Sequence, residues 1–181
     1  MNFLELVKSR QSTRAYDVNK PVDSEKLNRI LECAHLSPSA SNAQPWHFIV
    51  VTEPELKNKI ADATTLRMLG MNHFTKQAPV LIVVVQESVN LESKVGSLIK
   101  KHDYAEMDLG IATAHLVLAA RAEGLDTCIM GWFNEKKIKG LLNIPRSKRA
   151  RLVITLGYST QSLRNKIRKP FEEVISFNSY K

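Results

Sequence analysis

The chain has 181 residues, of which 44% are hydrophobic and 24% are charged. This length and apolar content predict a single domain over residues 1–181, and exclude a chain that is mainly disordered, collagen-like or of low complexity. No apolar run approaches the ~20 residues of a membrane span, and the N-terminus lacks the pattern of a secretory signal. The two cysteines have no metal-ligand spacing, so we expect a reduced, cytoplasmic setting.

The net charge of +8 is concentrated in the last quarter of the chain. Residues 1–135 carry 14 basic and 16 acidic side chains, a net of −2, whereas residues 136–181 carry 12 basic and 2 acidic, a net of +10. Such a basic segment suits a phosphorylated partner, whether a nucleotide cofactor, a nucleic acid or an anionic membrane. A solvated basic face is the plain alternative.

Hydrophobic spacing, capping residues and prolines predict the elements of the first half of the chain. In order, they are a helix over 3–9, an extended stretch over 10–16, a helix from 23 to about 37, a turn-rich loop over 37–45, a strand over 47–52 and a helix over 53–61. Residues 64–77 fit no single element.

The second half begins with the apolar run of residues 80–85, which predicts a strand covered on both faces. A helix over 104–123 is apolar almost all round between Leu109 and Ala120, so we expect it to be buried on every side, with His115 in the core and a close neighbour at Gly110. The remaining predictions are a loop or lid over 86–103, strands over 125–130, 151–158 and 174–177, and a helix over 135–142.

Common catalytic fingerprints are missing. The chain has no G-x-G-x-x-G, no G-x-x-x-x-G-K-[ST], no G-x-S-x-G and no H-E-x-x-H motif. Hydrolase, kinase and metalloenzyme readings are therefore disfavoured, and no metal is expected.

Three segments carry candidate binding chemistry. Arg10, Ser12 and Arg14 share one face of an extended stretch, where two guanidiniums and a hydroxyl suit a phosphate. The loop from Pro38 to Trp46 offers hydroxyls and amides that can bind the polar edge of a heteroaromatic ring. The run 166–170 adds further cations. Each segment alone also has a plain structural explanation: a solvated polar turn for the first, a capped loop for the second and a solvated basic loop for the third.

Taken together, the motifs resemble the FMN-dependent nitroreductase family. The resemblance rests on motifs in the family's order across almost the whole chain: Arg10-x-Ser12-x-Arg14-x-Tyr16, residues 37–46, Ala78-Pro79, residues 108–131, and Lys166-x-Arg168-x-Pro170 with residues 172–174. It implies an α+β fold with a mixed central sheet flanked by helices, in a homodimer with an exchanged C-terminal strand.

The resemblance also implies roles for individual residues. Arg10, Ser12, Lys166 and Arg168 would bind the FMN phosphate, and Arg14 would lie beside the flavin N1 and C2 carbonyl. Gly131, which follows Met130 where some members have glutamate, would donate its backbone N–H near flavin O4 and N5. The loop that reaches the flavin from the other subunit would use Pro38, Ser39, Ala40, Ser41, Asn42 and Gln44.

The implied function is an NAD(P)H oxidoreductase with bound FMN. Hydride would pass through flavin N5 to a small electron-poor acceptor (a nitroaromatic, quinone or enone), with no catalytic side-chain acid or base. The alternatives are a specialised flavin chemistry, such as dehalogenation or flavin cleavage, and a flavin-binding sensor without turnover. A nucleic-acid partner is disfavoured, because the basic tail lacks interleaved aromatic residues. A membrane partner is not expected either.

Overall fold

The computed structural model describes residues 2–65, 70–87 and 103–180. The helices are α1 (Phe3–Ser9), α2 (Ser24–His35), α3 (Pro54–Thr64), α4 (Tyr104–Ala122), α5 (Glu135–Leu141) and α6 (Phe171–Val174). The strands are β1 (Trp46–Val51), β2 (Val80–Gln86), β3 (Asp126–Met130) and β4 (Arg149–Gly157). No helix in these ranges is long and apolar enough to cross a membrane.

The four strands form one sheet in the order β1-β2-β4-β3, and every neighbouring pair is antiparallel. The four-stranded sheet is therefore antiparallel, and not the mixed parallel and antiparallel sheet that the resemblance implies. Parallel pairing in the described ranges is confined to a single bridge between Ser12 and Thr127. The α+β class is confirmed.

Strand β2 is buried on both faces, as its apolar run predicts. Leu81, Val83 and Val85 face one hydrophobic cluster, which contains residues of α3 and α5. The alternate side chains of β2 face a second cluster, which contains residues of α2 and α4. Because side chains alternate along a strand, the continuous apolar run fills both layers.

Helix α4 is buried on one side only, so the expectation that it is enclosed all round is wrong for the single chain. Met107, Ile111 and His115 are exposed, and a Cβ at Gly110 would meet no atom within 4 Å. These residues follow the spacing of one helical face. Helix α4 therefore presents an apolar stripe outward, and His115 lies in that stripe rather than in the core.

The chain end also differs from the sequence expectation. Residues 174–177 do not form a strand; Val174 ends the single helical turn α6, and residues 175–177 follow it without regular structure. Pro170 precedes that turn and two glutamates lie within it, both of which favour helix initiation. Most of the predicted loop or lid over 86–103 lies outside the described ranges, as do residues 66–69 of the unassigned stretch 64–77, in which His73–Gln77 forms a 3-10 helix.

Gly157 at the end of β4 is packed too closely to accept a side chain. An added Cβ would lie 2.6 Å from Pro79 Cδ and 3.1 Å from a ring carbon of Tyr16. We expect Gly157→Ala to lower the free energy of unfolding by about 1–3 kcal/mol through overpacking. Gly140→Ala in α5, where a Cβ meets nothing within 4 Å, should instead raise it by up to about 1 kcal/mol. Urea denaturation of both variants checks the pair, and equal effects would contradict the packing argument.

Candidate functional site

The predicted phosphate-binding segment is extended and runs alongside β3. Ser12 forms a parallel bridge with Thr127, and the Thr13 N–H donates to the Thr127 carbonyl at 2.9 Å. Arg10 therefore lies toward the start of β3, and Arg14 lies toward its end, where Gly131 follows. At ~3.3 Å per residue, the two arginines are spaced about 13 Å apart along the segment.

Tyr16 anchors the end of this segment in the core. Its hydroxyl lies 2.6 Å from Thr155 Oγ1 and donates to the Thr13 carbonyl at 2.9 Å. The Tyr16 N–H donates to Gln77 Oε1 at 3.1 Å. Burial raises the pKa of the Tyr16 phenol, so the phenol stays neutral and its hydrogen bonds anchor the segment to the core. The arginines before it are thus displayed from a fixed backbone.

The basic tail folds back over the same segment. The Lys166 ammonium donates to the Arg10 carbonyl, and the Arg164 guanidinium donates to the Ser12 carbonyl at 2.9 Å. The Arg14 N–H donates to Gln161 Oε1 at 2.9 Å. The structure therefore brings Lys166 beside Arg10, although they are 156 residues apart in sequence.

Arg10, Lys166 and Arg168 form a cluster of cations, and Arg14 lies farther along the same segment. None of these four residues makes an ion pair with a carboxylate among the described residues. Burial, followed by repulsion from Arg10, Arg168 and Arg121, holds the pKa of the Lys166 ammonium below its usual range. Concentrated positive charge of this kind fits a bound phosphate, which would relieve the repulsion.

Arg164 belongs to this region and was missed in the sequence. Its guanidinium donates to the Ser12 carbonyl, and its backbone N–H donates to Gln11 Oε1 at 3.1 Å. The signal was available, because residues 164, 166 and 168 repeat the alternation of residues 10, 12 and 14. Arg164 therefore holds the tail against the extended segment through both its guanidinium and its backbone N–H.

The predicted flavin loop is a strained turn tied to α4. Ser41, Asn42 and Gln44 adopt φ values of 50°, 49° and 46°, a left-handed region that costs non-glycine residues roughly 1–2 kcal/mol each. The Ala40 N–H donates to both carboxylate oxygens of Asp108, at 3.1 and 3.2 Å.

The rest of the loop is braced from within. Ser39 Oγ accepts from the Gln44 N–H at 2.9 Å, and the Gln44 amide donates to the Asn42 side chain at 3.1 Å. Pro38 is exposed at the start of the loop. These hydrogen bonds hold the loop to α4 and to itself rather than to the cation cluster. Its predicted role at a flavin of another subunit is compatible with that placement.

Met130 and Gly131 close β3 in different ways. The Met130 side chain is buried in the core, where its sulfur lies 3.6 Å from Thr75 Oγ1. Only the backbone of Met130 is therefore left to meet a ligand. Gly131 is exposed, and a Cβ there would meet no atom within 4 Å. The space over Gly131 is open to a planar ligand.

The arrangement brings clustered cations to one end of β3 and an exposed glycine to the other. Arg14 is exposed between them, and its charge reaches Cys128, where burial raises the thiol pKa and the arginine opposes that rise. A phosphate tail joined to a flat, electron-accepting ring matches this order of groups. No side-chain acid or base is needed for such a group to bind.

Comparison with known proteins identifies a family whose model covers most of the chain. The model of the nitroreductase family matches residues 7–158. An oxygen-insensitive NADPH nitroreductase of Helicobacter acinonychis is 28% identical over 202 residues, covering 96% of this chain and 95% of that protein. The iodotyrosine deiodinase of Drosophila melanogaster is 27% identical over 176 residues, covering 85% of this chain and 61% of that protein.

A solved structure has the same fold. The FMN-dependent nitroreductase of Clostridium difficile R20291 superposes with a TM-score of 0.78 at 26% identity, over 98% of this chain and all of that one. The described strands and helices are thus those of a known architecture.

Proposed function

Because the chain belongs to the nitroreductase family, we propose that this NAD(P)H-dependent oxidoreductase binds FMN along β3 and passes electrons to a small electron-poor acceptor, such as a nitroaromatic, quinone or enone. The observation that carries the proposal is the cluster of Arg10, Lys166 and Arg168 without carboxylate partners among the described residues. The residues present fit FMN, and the chain would act as one FMN-binding domain.

Each part of the site has a separate task. Arg10, Ser12, Lys166 and Arg168 bind the phosphate, because guanidinium, ammonium and hydroxyl groups all donate to its oxygens. Arg14 holds a positive charge beside the ring edge at N1 and C2, where reduction creates negative charge. Gly131 leaves its backbone N–H accessible near O4 and N5. When bound, FMN would supply the redox chemistry, taking hydride from NAD(P)H and passing the two electrons on to the acceptor.

A second copy of this chain completes the site in this proposal. The apolar stripe of α4 is exposed in the single chain, and so are large apolar side chains of the tail: Ile167, Phe171, Val174, Phe177 and Tyr180. Apolar surface on this scale is typical of an interface. The dimer would place the loop Pro38–Gln44 over the partner's flavin, and the tail across the partner's surface.

The test is an absorption spectrum of the purified protein, followed by anaerobic additions of NADH and NADPH. We expect a yellow protein that bleaches with one nicotinamide and recolours with a nitroaromatic or a quinone. A yellow protein whose flavin absorption is bleached by neither NADH nor NADPH would instead favour a specialised reaction, as the similarity to a deiodinase allows, or a sensor without turnover. A colourless protein that does not take up added FMN would overturn the proposal.

Arg14→Ala should lower the flavin reduction potential more than it lowers FMN affinity. Removing a cation from the N1 edge destabilises the reduced, anionic ring, and we expect a fall of about 30 mV, the two-electron equivalent of about 1.4 kcal/mol. Spectroelectrochemical titration measures the shift. Arg14→Lys keeps the charge and should recover most of the potential. An unchanged potential in the alanine variant would remove Arg14 from the ring edge.

A further inference from the structure

Arg121, in the last turn of α4, joins two segments that frame the phosphate cluster. Its Nε donates to Ser9 Oγ at 3.1 Å, and its Nη1 lies 3.3 Å from both carboxylate oxygens of Asp126. Ser9 directly precedes Arg10. Asp126 directly precedes Thr127, the residue that pairs with Ser12. One guanidinium thus fixes the end of α1 against the start of β3.

Asp126 makes the charge of Arg121 important. Its side chain is only 8% exposed, and Arg121 is its ion-pair partner among the described residues. Burial raises the pKa of the Asp126 carboxyl, whereas Arg121 lowers it and so favours the anion. An ionised carboxylate at this position stands close to a site that must accept a phosphate dianion. Arg121 cancels that charge.

The charge of Arg121 also acts on the cluster of Arg10, Lys166 and Arg168. Together with Arg10 and Arg168, it contributes to the lowered pKa of Lys166. Arg121 therefore acts in two ways on the same place: it neutralises the nearby anion, and it adds to the positive potential. Both actions favour a phosphate over an uncharged ligand.

We propose that Arg121 is a positioning residue of the phosphate site, which orients Ser9–Arg10 against β3 and shields an incoming phosphate from the buried carboxylate of Asp126. This inference rests on the proposed function, because the phosphate is that of FMN. The ion pair Arg29–Glu123 provides a control. It is bidentate and joins α2 to the end of α4, and among the described residues neither partner bonds to Arg10, Lys166 or Arg168.

The experiment compares FMN with riboflavin, which has the same ring but no phosphate, on protein stripped of flavin. Arg121→Met should raise the FMN dissociation constant about tenfold and leave that of riboflavin within about twofold. Adding Asp126→Asn to that variant should recover part of the lost FMN affinity, since the anion to be shielded is gone, whereas the part that depends on the Arg121–Ser9 contact stays lost. Arg29→Met serves as the control and should change neither constant.

The possible results separate the two claims. If wild-type protein binds no FMN, the proposed function fails, and this inference fails with it. If wild-type protein binds FMN but Arg121→Met binds it equally well, the inference alone is overturned. Equal loss of FMN and riboflavin affinity, or no recovery in the double variant, would show that Arg121 only supports the fold and would also overturn it.

Discussion

Replacing Arg10 with alanine should raise the FMN dissociation constant roughly 10- to 100-fold, the equivalent of losing about 1.5–3 kcal/mol of charge-assisted hydrogen bonding. Arg10 is half-buried and forms no ion pair among the described residues. Its backbone is held at both sides, because its N–H donates to the Leu6 carbonyl and its carbonyl accepts from Lys166. The backbone that carries the Arg10 side chain is therefore fixed beside Lys166.

Fluorescence titration of the flavin-free protein measures this effect, with riboflavin as the second ligand. Because riboflavin has no phosphate, its affinity should be nearly equal in wild type and Arg10→Ala. Lys8→Ala is a matched control, since Lys8 is an exposed cation in the last turn of α1, two residues away. If Lys8→Ala weakens FMN binding as much as Arg10→Ala, general attraction rather than a specific contact would explain the binding.

Most elements could be predicted from the sequence because their signals are local. Asp23 caps α2 by accepting from the N–H groups of Glu25 and Lys26, and the helix stops before Pro38, as the restriction on residues preceding proline requires. The continuous apolar run of β2 is short, rich in β-branched residues and preceded by Pro79, which favours a strand buried on both faces. These features need no knowledge of distant parts of the chain.

Strand pairing and the chain end could not be predicted in the same way. Whether β2 pairs parallel or antiparallel depends on connections through other elements, and a run buried on both faces is compatible with either. Residues 174–177 have β-branched and aromatic side chains, but no described strand pairs with them, so no strand forms there; the local signals of Pro170 and the two glutamates favour the helical turn α6 just before them.

The site shows the same division. The alternation of Arg10, Ser12 and Arg14 is local, whereas the meeting of Arg10 with Lys166 depends on how the tail folds back. Arg121 gave no signal at all, since it lies on a helix whose apolar residues predict only burial. Its importance arises from Asp126 and Ser9, which come near it only in the folded chain.

The exposed face of α4 leads to the second large effect. If the proposed dimer forms through this face, Ile111→Glu should convert it to a monomer and release its FMN. Met107 is 54% exposed and Ile111 is 39% exposed in the single chain, and both lie on the stripe that would meet its own copy. A two-fold interface would bury two new carboxylates, one from each subunit, and an unpaired buried charge costs several kcal/mol, so the dimer dissociation constant should rise about 1,000-fold or more.

The coupling between assembly and FMN separates this interpretation from simple damage to the fold. Asp108 ties the loop to α4, so if that loop completes the partner's site, the monomer should keep its secondary structure yet bind FMN weakly. Light scattering, circular dichroism and flavin content test the three parts together. Val18→Glu, at an apolar position 64% exposed outside this stripe, should leave a yellow dimer. A folded Ile111→Glu monomer that retains FMN would mean that each subunit binds its flavin alone, and the role of Pro38–Gln44 in the partner's site would have to be abandoned.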